Sequence, residues 1–132
     1  MKIEYRAPTE DEFAAVLRTT HTAFGEDLKD EDIERHRKMM PLDRLLVAWD
    51  GGRPVGVTGA YPFELTTPGG SGKAAGVSWV GVLPSHRRRG ILRELMLRQL
   101  DDVHERGEPF AILYASESVI YGRFGYGLAT TY

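Results

Sequence analysis

The chain has 132 residues, 42% of them apolar, a net charge of -2 and no cysteine. That suffices for one domain with its own core, and it excludes disulfides, thiolate metal ligands, a cysteine nucleophile and a general polyanion binder. No apolar leader follows Met1 and no apolar run could span a bilayer, so the expectation is a cytoplasmic chain with neither membrane nor nucleic-acid partner.

Lys2 to Arg6 alternates polar and apolar residues, as a short strand does. Thr9 followed by Glu12 has the spacing of a capping box, and Phe13, Val16, Leu17 and Phe24 then share one helical face. A second helix is predicted from about Asp30 through Ile33 to Met39, ending at Pro41. Arg44 to Asp50 reads as a strand, and Gly51-Gly52 supplies a positive-φ hairpin turn. The return strand, Pro54 to Thr67, carries Gly56 and Gly59, which mark bulges or close packing. Pro68 to Gly72 reads as a second turn before a strand from about Ala74 to Val82, which Pro84 ends.

After Gly90, the residues Leu92, Leu95, Met96, Leu100 and Val103 form an amphipathic helix that stops at Gly107. Phe110 to Ala115 is nearly all apolar, as a strand buried on both faces is. A helical turn near Val119 to Phe124 and a strand from Tyr126 to Tyr132 complete the order β-α-α-β-β-β-α-β-α-β. The predicted architecture is an α/β mixed sheet covered by helices, with no repeat or linker.

The chemistry concentrates in Val80 to Arg93, where a strand ends, basic residues and one glycine follow, and a helix begins. The first-turn N–H groups of such a helix are unpaired and lie at the positive end of its dipole, which suits phosphate. Hydrogen bonds to a charged acceptor contribute roughly 1.5–3 kcal/mol each, so two or three from the backbone of Arg88 to Leu92 would hold a pyrophosphate. Gly90 allows close approach, and the arginines add forked donors. The competing reading, a solvated basic loop at His86 to Arg89, leaves the flanking strand, glycine and helix unexplained.

Val82, Arg87 and Gly90 have the spacing of the acyl-CoA signature of GNAT acetyltransferases, with Leu92 where a small residue is usual. Pro84 to Arg93 and the run Ala115 to Gly127 (ASESVIYGRFGYG) resemble the enhanced-intracellular-survival (Eis) type more closely. The resemblance implies a GNAT fold, a mostly antiparallel sheet with a splayed parallel strand pair. It implies acetyl-CoA as acyl donor and an amine or lysine as acceptor. Val80, Gly81 and Val82 would flank the pantetheine, and Arg87, Arg88, Arg89, Gly90, Ile91, Leu92 and Arg93 would hold the pyrophosphate. Ser116 and Glu117 would line the far side. Tyr121 would be the general acid, with Tyr126 in reserve. An ordinary phenol facing a thiol leaving group is uphill by only roughly 2 kcal/mol, so concerted proton donation is feasible.

Other signals carry less. Pro68 to Lys73 resembles a P-loop but lacks its first glycine and the hydroxyl after lysine. His21, His36, His86 and His104 show no metal-ligand spacing, and His36 and His86 are expected on the surface. Glu26, Asp27, Asp30, Glu31, Asp32 and Glu34 read as a solvated face, or as an attraction for a cationic amine.

Eis-type proteins carry two further domains, and their terminal carboxylate is the general base; here that base is unassigned. The sheet's last expected strand is also unaccounted for, which would leave the Phe110 strand with an open edge. The expectation is one domain over residues 1–132, C-terminally truncated or part of a longer protein, or completed by another copy, as in a homo-oligomer. The alternative to an enzyme is a non-catalytic acyl-CoA-binding module or an incomplete domain that needs a partner chain.

Overall fold

The structure is a computed structural model that describes residues 2–23, 25, 29–113 and 121–127. Its strands are β1 (Ile3–Arg6), β2 (Leu45–Asp50), β3 (Arg53–Thr67), β4 (Gly70–Val82) and β5 (Phe110–Ile112). Its helices are α1 (Phe13–Ala23), α2 (Asp30–Met39) and α3 (Ile91–Glu105). The described strands form one sheet in the order β1-β2-β3-β4-β5, antiparallel except for the β4–β5 pair. Because β4 and β5 are parallel, a crossover must join them, and α3 is that crossover.

The helix starts and turns follow from local chemistry. Glu12 reaches back to accept the Thr9 N–H at 2.9 Å, closing the expected capping contact ahead of α1. Gly51 and Gly52 both have positive φ, 59° and 84°, as a two-residue hairpin turn between β2 and β3 demands. The β3–β4 turn is tighter than its sequence suggests: Thr67 pairs with Gly70, so Pro68 and Gly69 alone form the loop. Gly70, at φ 145°, lets the strand begin four residues before Ala74.

Alternation along β2 divides the core between the two faces of the sheet. Leu45, Val47 and Trp49 meet Phe13, Val16 and Leu17 of α1 and Ile33 of α2. Ala48 lies on the opposite face, where Val55, Leu83, Ile91 and Leu95 bring α3 against the sheet. Leu95 and Met96 are fully buried; burying such side chains stabilises by about 1.5–3 kcal/mol each.

The two strand glycines do what was expected of them. A Cβ on Gly56 would stand 3.2 Å from both Ile91 and Leu95, so its absence lets α3 lie close on β3. On the other face, a Cβ on Gly59 would stand 2.9 Å from Leu45 and Met40.

β5 departs from the expected strand buried on both faces. Phe110 and Ala111 are half-buried and Ile112 is 41% exposed, because β5 lies at the end of the described strand order with β4 on one side. Ala115 and Phe24 lie outside the described residues, as does most of the strand expected from Tyr126. Around the expected helical turn, Phe124 N–H donates to Tyr121 C=O at 3.0 Å and Tyr126 N–H donates to the same carbonyl at 3.3 Å. Among the described residues, no helix is long and apolar enough to cross a membrane.

Candidate acyl-donor site at the β4–α3 corner

The site lies along β4, beyond its described pairing with β5. Their pairing runs Ala74–Phe110, Ala75–Ala111 and Gly76–Ile112, and β4 then continues to Val82 with no further described pair to β5. A bulge sits on the β3 side of the same stretch. Val57 pairs with Gly81 and Gly59 with Ser78, so Trp79 and Val80 together face the single residue Thr58. Such an insertion bends its strand and increases its twist. Trp79 takes φ 62°, a costly conformation for a residue with a Cβ. On the neighbouring strand, Gln99 of α3 donates to the Gly59 carbonyl at 3.0 Å, which braces the bulge from below.

Val80, Gly81 and Val82 are half-buried beyond the bulge. The chain then makes one tight turn over Pro84–His86, extends at Arg87 and reverses twice, with φ 64° at Arg88 and φ 77° at Gly90. Alternating left-handed residues turn successive N–H groups toward one concave side, a geometry suited to anions. α3 starts immediately afterwards. Its first internal bond runs from Glu94 N–H to Gly90 C=O at 3.1 Å, so the N–H groups of Ile91, Leu92 and Arg93 precede the ladder.

The side chains around this corner divide by role. Ile91 is buried among Ala48, Val55, Leu83 and Leu95, and only its backbone faces the corner's chemistry. Arg87, Arg88, Arg89 and Arg93 are exposed. Arg87, Arg88 and Arg93 form no ion pair among the described residues, whereas Arg35, Arg37, Arg44 and Arg98 each hold a carboxylate. Positive charge is therefore uncommitted at the positive end of α3's dipole.

One neighbouring residue departs from expectation. His86 is 8% exposed rather than on the surface. Its Nε2 lies 2.8 Å from Asp50 Oδ2 and its Nδ1 lies 2.8 Å from Ser85 Oγ. Asp50 is 36 positions away in the chain, so no local pattern could have exposed the partnership.

The face of the sheet under α1 and α2 holds an aromatic group that sequence reading also missed. Trp79 lies with ring centroids 6.2 Å from Phe13, 6.2 Å from Tyr61 and 5.3 Å from His36. His36 is thus half-buried against the bulge, not a surface side chain. Burial pushes the Tyr61 phenol up. The described acidic residues of α2 behave as a solvated face: Asp32 pairs with Arg35 at 2.9 Å and Glu34 with Arg37 at 3.2 Å.

Tyr121 sits on its own turn, half-buried, its ring 6.2 Å from that of Tyr126 and nearly perpendicular to it. Burial, and then the neighbouring Tyr121, push the Tyr126 phenol up to about 12. Ser116 and Glu117 lie outside the described residues. The structure therefore joins Val80–Val82 and Arg87–Arg93 in one continuous corner, with Tyr121 contributed by a later segment.

Comparison with known proteins agrees with this geometry. Residues 4–129 match the acetyltransferase (GNAT) domain family. A protein of Streptomyces avermitilis named as an uncharacterized N-acetyltransferase is 43% identical over 98% of this chain and 32% of its own length. The N-acetyltransferase Eis of Mycobacterium tuberculosis is 38% identical over 99% of this chain and 34% of its own length. The crystal structure of Eis1 from Mycobacterium abscessus superposes with a TM-score of 0.85 at 39% identity, covering 98% of this chain and 32% of that one. The chain thus spans about a third of the length of the relatives it matches. With the parallel β4–β5 pair, the bulge and the β4–α3 corner, these matches show that the chain belongs to the GNAT N-acetyltransferase family, close to the N-terminal region of the Eis proteins.

Proposed function

We propose that this chain binds acetyl-CoA, or another short acyl-CoA, and transfers the acyl group directly to a primary amine in a ternary complex. The observation that carries the reading is the β4–α3 corner. Left-handed turns at Arg88 and Gly90 lead into the open N-terminus of α3, just after β4 ends at Val82. The N–H groups of Ile91, Leu92 and Arg93, with the guanidinium groups of Arg87, Arg88 and Arg89, hold the pyrophosphate. Leu92 fits despite replacing the usual small residue, because its backbone N–H does the binding. The backbone of Val80 to Val82 flanks the pantetheine, and Ser116 and Glu117 line the far side.

In the reaction the neutral amine nitrogen attacks the thioester carbonyl, the C–N bond forms and the C–S bond breaks. Tyr121 gives its proton to the departing sulfur, the attacking nitrogen loses its extra proton to a base as the amide forms, and solvent returns a proton to Tyr121. Burial pushes the phenol of Tyr126 up to about 12, so its proton is held more tightly than that of an ordinary phenol and it is a poor donor. The acceptor approaches from the α1–α2 face, where Tyr61 and Trp79 stand beside the bulge.

Two measurements test the reading. Titration calorimetry with acetyl-CoA should show saturable binding, and none at millimolar ligand removes the proposal. Release of free CoA thiol on a panel of amines should fall at least about 100-fold in Tyr121→Phe, the lower range for losing a general acid. Binding without turnover on any amine would leave a non-catalytic acyl-CoA-binding module in its place.

A further inference from the structure

We infer that His86 is a positioning residue for the acyl donor: bonded to Asp50, it holds the Arg87–Gly90 loop in the shape that receives phosphate. The inference rests on the acyl-CoA reading of that loop. Between Leu83 and Ile91 every side chain is exposed except that of His86. The buried side chain of this loop is therefore a polar one.

Both ring nitrogens are committed. The Asp50 carboxylate offers only acceptors, so His86 Nε2 carries the hydrogen and donates across 2.8 Å. In the neutral ring, Nδ1 then accepts the Ser85 hydroxyl proton across 2.8 Å. With both nitrogens engaged and the ring 8% exposed, His86 has no lone pair left for an incoming amine. It is placed to orient rather than to exchange protons with substrate.

Asp50 makes a firm mooring. It ends β2, pairs with Ile3 of β1 on one side and with Arg53 of β3 on the other, and so belongs to the interior of the sheet. The residue after His86 is extended, and the next, Arg88, takes φ 64°. A left-handed arginine is unfavourable by itself and persists where the surroundings over-determine it. Ile91, buried in the core, fixes the loop on one side of Arg88, and His86 fixes it on the other. Released from Asp50, the loop would visit its phosphate-competent shape less often, and apparent affinity would fall by the competent fraction.

The test uses the whole chain and variants His86→Ala, Asp50→Ala, their double mutant and Asp50→Asn, each checked by circular dichroism. If the competent shape becomes a one-in-ten conformer, acetyl-CoA affinity falls about tenfold in His86→Ala and in Asp50→Ala. The double mutant should bind no more weakly than the worse single, since one interaction is lost in all three. Asp50→Asn, which keeps an acceptor oxygen, should recover most of the affinity. Competition with CoA and with pantetheine isolates the phosphate contribution. The ratio of the two dissociation constants should shrink in His86→Ala, whereas a purely structural lesion would weaken both ligands alike. Should His86→Ala not fold, Asp50→Ala carries the test from a partly exposed site. Affinities within about twofold of the unaltered chain in both alanine variants overturn the inference alone. No acetyl-CoA binding by the unaltered chain overturns the acyl-CoA reading and this inference with it.

Discussion

The imidazole of His36 stands edge-on to the indole of Trp79, with ring centroids 5.3 Å apart and planes at 88°. This contact joins α2 to the one strand residue that the β4 bulge forces to φ 62°. Phe13 of α1 and Tyr61 of β3 complete the ring around the same indole. Trp79 is therefore both the strained residue of the bulge and a contact from β4 to α1 and α2. Trp79→Ala is expected to destabilise by about 2–3 kcal/mol, below the range for a fully buried tryptophan because this one is half-buried. Trp79→Gly should be the more stable of the two variants by about 1 kcal/mol, since glycine alone takes positive φ without cost. Urea titration ranks them; an alanine variant equal to or better than glycine would mean that the backbone relaxes out of the bulge.

Arg44 and Glu108 form a buried ion pair across 64 positions of sequence, at 2.7 Å and with side chains 4% and 6% exposed. The pair ties the turn before β2 to the segment entering β5. Its desolvation offsets much of its attraction, but removing one partner strands a buried charge. Glu108→Ala should cost about 3–5 kcal/mol, while Arg44→Met with Glu108→Leu should recover most of that loss. Denaturant midpoints decide the matter, and a double mutant as unstable as the single would contradict the argument.

These two pairs also show where sequence reading stops. Signals contained within a few residues were legible: the Thr9–Glu12 cap, the Phe13, Val16 and Leu17 face, the end of α2 near Pro41, and the Gly51-Gly52 turn. The β4–α3 corner was legible for the same reason, since Val80 to Arg93 is one unbroken segment. His86 and Arg44 were not. Polar side chains are exposed by default, and their burial is compensated by carboxylates 36 and 64 positions away. The exposure of Ile112 was hidden for a related reason: an apolar run reports what it can bury, not which neighbours cover it.

Glu12 makes the fold sensitive to acid. The Arg6 guanidinium donates to both of its oxygens at 2.9 Å, and the Thr9 N–H adds a third bond. Together they hold its carboxyl down at about 2, against an ordinary 4.5. A depressed carboxyl contributes stability that is fully present above about 4.5 and is lost as pH falls toward about 2. The melting temperature of Glu12→Gln should therefore lie below that of the unaltered chain at pH 6, with the gap closing near pH 2. A gap that stays constant across this window would show that the contact is not electrostatic.

The two tyrosines of the last described turn make opposite predictions when each loses its hydroxyl. Tyr121→Phe removes the proposed proton donor and should lower turnover with little change in stability. Tyr126 differs because its hydroxyl is buried with no hydrogen-bond partner among the described residues, and burial has pushed it up to about 12. Deleting an unsatisfied buried hydroxyl forfeits no bond and relieves a desolvation cost, so Tyr126→Phe should be neutral or stabilising by about 1 kcal/mol. The pH profile supplies a second readout. A phenol raised on folding supports the folded state fully below its ordinary value of 10, and that support is lost as pH climbs toward about 12. Tyr126→Phe should therefore lose less stability between pH 9 and pH 11 than the unaltered chain does. A steeper alkaline loss in the variant would mean that the Tyr126 hydroxyl has a partner that stabilises its ionised form.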